Sequence, residues 1–154
     1  MKIQFLKAEG KDVPEILEMM EEFNAIDNYP FDKERTKKNL IDFLGNRNLG
    51  RAWIIKKDSQ YIGYIILGFG FSFEHNGRDA FIDELYLRPE YRHLGFGKLA
   101  IDFILEEAPK LGVNVIHLEV EQHNKSASTL YRKMGFRDTG RILLSKKIGA
   151  SKDD

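Results

Sequence analysis

Asp83 and Glu84 are neighbours, and the segment Arg92-His93-Leu94-Gly95-Phe96-Gly97-Lys98 follows them closely. Adjacent carboxylates are residue types that take up and release protons, so either could serve as a general base. A turn with two glycines at the start of a helix does something different. It presents unpaired N–H groups at the positive end of the helix dipole, and glycine has no Cβ to hold an anion away. Phosphate is the usual anion at such a place, and Arg92 and Lys98 would add charge to it. Acid–base groups beside a phosphate grip point to an enzyme that uses a phosphate-bearing cofactor. The plain alternative is two surface carboxylates paired with Arg78, Arg88 or Arg92, followed by an ordinary helix start.

Other residues with chemistry to offer are few. Asn124, Ala127 and Tyr131 recur at helical spacing and share one face. The histidines His75, His93, His117 and His123 show no H-x-x-x-H spacing, so no metal site is expected. The chain has no cysteine, which excludes disulfides, thiol catalysis and cysteine-ligated zinc.

Several elements must position these residues. Lys2 to Ala8 alternates as a first strand. Asp12-Val-Pro-Glu15 reads as a helix start with Asp12 as its cap, and Val13, Ile16, Leu17, Met20 and Phe23 keep helical spacing. Asp32 is placed to cap a second helix closed near Gly45. Strands are expected over 52–56 and 61–73. A hairpin turn at Asn76-Gly77 then returns the chain as a strand over 79–87, which Pro89 ends. A helix over 97–111 stops at Gly112, and a strand over 113–120 and a helix over 125–134 follow. Phe136 to Lys147 reads as a final β stretch. The hairpins require antiparallel pairing, whereas the strand–helix–strand unit from Phe81 to Val120 requires a parallel crossover. The expected class is α/β in the α+β sense: a mixed, mostly antiparallel central sheet with helices on both faces.

Length and composition set the bounds. The 154 residues suggest one domain over 1–148 with a tail over 149–154. Basic and acidic residues balance at 24 each, which argues against general nucleic-acid binding. No apolar run is long enough for a membrane span, and the first residues do not read as a signal peptide, so a cytoplasmic protein is expected.

The segment Leu85-Tyr-Leu-Arg-Pro-Glu-Tyr-Arg-His-Leu-Gly95-Phe-Gly97 resembles the central motif of the GNAT superfamily of acetyl-CoA-dependent N-acetyltransferases, in its polyamine-type, small-molecule branch. Leu118-Glu-Val, Asn124, Ala127 and Leu130-Tyr-Arg-Lys-Met-Gly-Phe136 continue the likeness in the family's order. The resemblance implies the GNAT fold, in which two parallel strands splay apart to admit the cofactor; here these would be 81–87 and 113–120. It implies acetyl-CoA as cofactor, with main-chain groups of Leu85, Tyr86 and Leu87 on its pantetheine arm. The pyrophosphate would lie on Arg92, His93, Leu94, Gly95, Phe96, Gly97 and Lys98. Asn124, Ala127 and Tyr131 would touch the cofactor as well, and Tyr131 would protonate the departing thiolate. Asp83 aligns with the catalytic carboxylate of polyamine-type members and Glu84 with an acidic position used in other branches. Successive strand residues face opposite sides, so only one of them should point at the acceptor, with Asp83 preferred.

The reaction implied is direct transfer to a primary amine in a ternary complex, since no cysteine is present to carry an acyl group. Glu74, Asp79, Asp83, Glu84, Glu119 and Glu121 would attract a small cationic amine if they converge. A protein N-terminus or lysine is the other acceptor class, and a non-catalytic acyl-CoA sensor or interaction module is the reading from outside catalysis. Homodimers are common in the family, although the sequence signals no interface. Gly95-Phe-Gly-Lys-Leu-Ala100 also fits the dinucleotide fingerprint G-x-G-x-x-A, but seven residues separate its first glycine from the strand and one βαβ unit cannot build a doubly wound sheet.

Overall fold

The computed structural model describes residues 2–149. They fall into two compact units, one running to Glu119 and the other beginning at Val120. The first contains β1 (Ile3–Lys7), α1 (Val13–Ile26), α2 (Lys33–Gly45), β2 (Gly50–Lys57), β3 (Gln60–Ser72), β4 (Gly77–Leu87), α3 (Phe96–Lys110) and β5 (Val115–His117). The strands form one sheet in chain order, antiparallel from β1 to β4 and parallel between β4 and β5. This is the mixed α+β sheet expected from hairpins combined with one crossover.

Strand alternation divides the core between the two faces of this sheet. Ala52, Ile54, Tyr64, Ile66 and Tyr86 pack on one face with Ile16, Leu17, Met20 and Leu40 from α1 and α2. Trp53, Ile55, Ile65 and Leu67 pack on the other with Ala100, Ile104 and Ala108 from α3. Rings bind α3 across to the far strands: Phe103 stacks on Phe5 at 4.7 Å and meets the edge of Trp53 at 5.4 Å. On the opposite face, Tyr86 donates to Glu22 of α1 at 2.9 Å, and Arg88 lies 3.5 Å from the same carboxylate. Burial and that hydrogen bond push the Tyr86 phenol up to about 12.

Gly63 is required by a close approach, because a side chain there would land on the Tyr86 carbonyl oxygen. Asp32 caps α2 as expected, accepting from the Arg35 N–H at 3.1 Å. Asp12 does not cap α1 with its side chain. It is buried, accepting instead from the Glu9 N–H at 2.9 Å and the Tyr61 hydroxyl at 2.7 Å. That carboxylate is the main reason the Tyr61 phenol is pushed up to about 12.

The second unit contains α4 (Lys125–Lys133). The β stretch expected over 136–147 is not a strand among the described residues. Short-range contacts occupy its start: the Gly140 N–H bonds the Asp138 carboxylate and the Arg141 N–H bonds the Thr139 hydroxyl. Ile142, Leu143, Leu144 and Ile148 are largely exposed. Strand propensity takes effect through a pairing partner, and this stretch is in no ladder among the described residues. The strand expected over 113–120 is likewise reduced to β5. Of the tail expected over 149–154, only Gly149 lies within the described residues. Among the described residues, no helix is long and apolar enough to cross a membrane.

Candidate active site

A register change in β4 creates the site. From the turn as far as Leu67↔Ile82 the β3–β4 ladder is regular, but the next pair is Ile66↔Glu84. Asp83 is therefore the extra residue of a β-bulge. Ile82 and Leu85 both pack toward α3, three positions apart rather than two. The two residues between them, Asp83 and Glu84, both line one cavity on the α1–α2 side. Simple alternation therefore does not separate the two carboxylates here, because a residue is inserted between Ile82 and Glu84.

The bulge also coincides with the end of β5. Parallel pairing covers only Asp79↔Val115, Ala80↔Ile116 and Phe81↔His117. Beyond Phe81 no strand pairs with the β5-side edge of β4 among the described residues. The backbone groups from Ile82 to Leu87 that point away from β3 thus have no strand partner on that edge among the described residues, and an extended amide-bearing chain could lie along them. The parallel pair expected from the sequence is present over its three paired positions. The Leu87 carbonyl already accepts from Arg92 Nε at 2.8 Å, which narrows what it can offer.

A 3-10 turn, Pro89–Tyr91, leads from β4 to the glycine turn. His93 has φ +60° and Gly95 φ +87°, both left-handed, and this bends the chain so that α3 begins at Phe96. A Cβ built on Gly95 or Gly97 would meet nothing within 4 Å, so the helix start faces open space. The residues therefore fit a pyrophosphate at free N–H groups. The two cations have other contacts too. Arg92 holds Leu87 and lies over the Tyr86 ring at 5.4 Å, and Lys98 pairs with Asp102 at 2.9 Å.

The cavity encloses about 710 Å3. Thr36, Asn39, Leu40 and Phe43 line it from α2, Met20 from α1, Ile66, Gly68 and Phe69 from β3, and Phe81 to Glu84 from β4, with Glu119 completing it. Glu84 is the more enclosed carboxylate. Burial pushes its carboxyl up, the Tyr64 hydroxyl donating to Oε1 at 2.5 Å pulls it down, and the charge of Asp83 pushes it up again. Tyr64 is fully buried, and its phenol is pushed far up by that burial and by Glu84. Asp83 is exposed.

Of the six acids expected to make an acidic cleft, Asp83, Glu84 and Glu119 line the cavity. Asp79 instead meets His117 at 3.0 Å, Glu74 lies 3.8 Å from His75, and Glu121 belongs to the other unit. None of Arg78, Arg88 and Arg92 pairs with Asp83 or Glu84 among the described residues: Arg78 bonds the Leu111 carbonyl, and Arg88 reaches Glu18 and Glu22.

In the second unit Asn124 caps α4, its side chain accepting from the Ala127 N–H at 3.2 Å. The Tyr131 ring lies edge-on to Phe136 at 6.1 Å, and burial pushes its phenol up.

Sequence reasoning did not single out Tyr64, or Thr36 and Asn39 of α2. For Tyr64 a signal was available in part. Counting back from Asn76-Gly77 pairs Ile66 with Asp83, and only the inserted residue brings Glu84 onto the face of Tyr64.

Comparison with known proteins adds a family. Residues 16–136 match the model of the acetyltransferase (GNAT) family. An uncharacterised N-acetyltransferase of Bacillus subtilis is 35% identical over 75 residues, covering 49% of this chain and 47% of that protein. The thialysine N-epsilon-acetyltransferase of Bos taurus is 34% identical over 77 residues, covering 50% of this chain and 45% of that protein. The chain thus spans about half the length of these curated relatives. A solved integron cassette protein from the mobile metagenome of Cole Harbour Salt Marsh has a TM-score of 0.86 and 29% identity, covering 96% of this chain and 92% of that one.

Proposed function

The chain belongs to the acetyltransferase (GNAT) family, whose cofactor is acetyl-CoA, and on that premise we propose that it moves an acetyl group onto a primary amine of a small cationic acceptor. The observation that carries this reading is the open edge of β4 beyond Phe81, adjoining the two carboxylates that the bulge brings to one cavity. When bound, acetyl-CoA supplies the acetyl carbon and a thiolate leaving group. Main-chain groups of Leu85, Tyr86 and Leu87 hold the pantetheine arm. N–H groups from Gly95 to Lys98 hold the pyrophosphate, with Arg92, His93 and Leu94 forming the approach to them.

An amine in the cavity arrives largely protonated, because an alkylammonium has a pKa of roughly 10. Glu84 is the proposed base, directly or through one water. Its enclosure raises its proton affinity toward working pH, which makes it a better base than an ordinary carboxylate. Asp83, beside it and exposed, contributes charge that draws the cation in. Acetyl-CoA held on the open edge of β4 would supply the acetyl group for amide formation, with loss of its thiolate. Glu84 takes one proton from the ammonium before attack, and the second, lost as the amide forms, offsets the one that Tyr131 gives to the sulfur. A phenol pushed up by burial stays protonated across the neutral range, as a donor must. Asn124 and Ala127, which open α4, are proposed as further cofactor contacts.

The test is calorimetric titration with acetyl-CoA, with NADH as control, followed by CoA release across a panel of amines. Acetyl-CoA binding with amine-dependent release is the expected result. Binding without release would leave an acyl-CoA-binding module, and absence of binding would overturn the cofactor assignment. Within an active enzyme, Glu84→Gln should lower kcat by about 100-fold or more. Tyr131→Phe should lower kcat well beyond any change in acetyl-CoA affinity, and equal losses in both would remove the donor role.

A further inference from the structure

Two arginines flank one ring near the turn between β3 and β4, and a third is close by. The Arg51 guanidinium lies 5.2 Å from the centre of the Phe69 ring, and that of Arg78 lies 4.2 Å from it. Burial, then the charges of Arg47 and Arg78, hold the Arg51 pKa below its ordinary value. Like charges brought together repel, and no carboxylate pairs with any of the three among the described residues.

Two of these guanidiniums are also held in place. Arg51 Nη1 donates to the Arg47 and Gly50 carbonyls at 2.6 and 2.7 Å, and Arg78 Nη1 donates to the Leu111 carbonyl at 2.9 Å. A guanidinium has five N–H donors, so each keeps others that no described residue engages.

We infer that Arg47, Arg51 and Arg78 form a second anion site, which takes a phosphate monoester carried on an apolar group. A planar guanidinium fork matches phosphate oxygens two at a time, and a dianion can engage several cations at once. The apolar part of the ligand also has a surface to meet. Phe71 is directly opposite Arg78 in the β3–β4 ladder, so their side chains share a face, and Phe71 is 71% exposed.

This place is remote from the glycine turn. α3 begins at that turn and ends beside Arg78, which bonds the Leu111 carbonyl just past the last helical residue. At 1.5 Å per residue, its 15 residues put about 22 Å between the two. The pyrophosphate site proposed above is thus at one end of α3 and the monoester site at the other.

Phenyl phosphate is the probe, titrated by calorimetry at constant ionic strength into the protein with and without saturating CoA. Benzoate is the singly charged control. Phenyl phosphate should bind whether or not CoA is present, and at least about 10-fold more tightly than benzoate, the scale of one charge-assisted hydrogen bond. Arg51→Gln and Arg78→Gln should each weaken it by about 10-fold or more. Arg47→Gln and Phe71→Ser alter exposed side chains, so they probe the site without disturbing the packed arginines. Each should weaken binding by about 3-fold or more, through lost charge or lost apolar contact. Phosphatidylcholine vesicles containing phosphatidic acid present the same monoester at a lipid surface. Sedimentation with them that Arg51→Gln abolishes, without binding of the free ester, would assign the site to a lipid headgroup; binding of the free ester alone assigns it to a soluble ligand. Four outcomes would each overturn the site: displacement by CoA, equally tight benzoate, binding unchanged in Arg51→Gln, or no binding of either ester or vesicle.

Discussion

At Glu84 opposing influences meet on one carboxyl: burial and the neighbouring Asp83 charge raise its proton affinity, and the Tyr64 hydroxyl lowers it. Removing the hydroxyl leaves the raising influences unopposed. Tyr64→Phe should therefore move the acid limb of the kcat/KM profile to higher pH, and an unmoved limb would separate Glu84 from the base role. Asp83→Asn should move the limb the other way, because it removes a like charge. The same carboxyl affects stability. Its folded pKa lies above its unfolded value, so the folded state binds the proton more readily. Stability from this group is complete at low pH and declines as pH rises from the ordinary glutamate range through the held-up value. Glu84→Gln should flatten that part of the stability profile in denaturant titrations across pH. The residues that meet around β4 were legible as types: both carboxylates and the glycine turn stood out by identity and spacing. Their side-chain environments were not, because Tyr64 reaches Glu84 only through a pairing that sequence counting shifts by one position.

At the scale of elements, the strands and helices that carry the site were read from alternation, capping residues and turn chemistry. Asp32 and Gly112 each signalled a boundary through a local physical cause, and each boundary lies where that cause puts it. Asn76-Gly77 marked the reversal, but the loop is the four residues from Phe73 to Asn76, because Gly77 already pairs with Ser72. The elements misjudged depend on distant partners. β5 covers three residues rather than eight, and the stretch over 136–147 forms no strand among the described residues. No local pattern says where a ladder stops. Gly63 tests how closely β3 and β4 must approach. Gly63→Ala sets a methyl group against the Tyr86 carbonyl, a backbone atom that cannot rotate away. The expected loss is about 1–3 kcal/mol in equilibrium denaturation, as for other overpacked sites. An unchanged midpoint would mean that β3 and β4 can move apart without penalty.

For the molecule as a whole, formal charge balances at zero and the sequence pI is about 6.9, so long-range repulsion between copies is weakest near neutral pH. Ile142 and Leu144 are 85% and 87% exposed. Weak repulsion and exposed apolar side chains together favour self-association. Light scattering should rise with concentration most steeply near pH 7, and Leu144→Glu should reduce it without shifting the melting temperature. Equal scattering by both proteins would show that this segment is not adhesive. The bulge has a consequence for how such a protein can be altered. Asp83 interrupts a ladder that would otherwise continue, and ladders favour continuity, so the cleft exists at the expense of the sheet's own cohesion. Deleting Asp83 keeps Ile82, Glu84 and Leu85 on their present faces. It should give a chain that melts higher and binds acetyl-CoA more weakly. Libraries built from substitutions never sample that change. Evolution by insertion and deletion does, and activity here is exposed to loss through a single deleted codon that makes the fold sturdier.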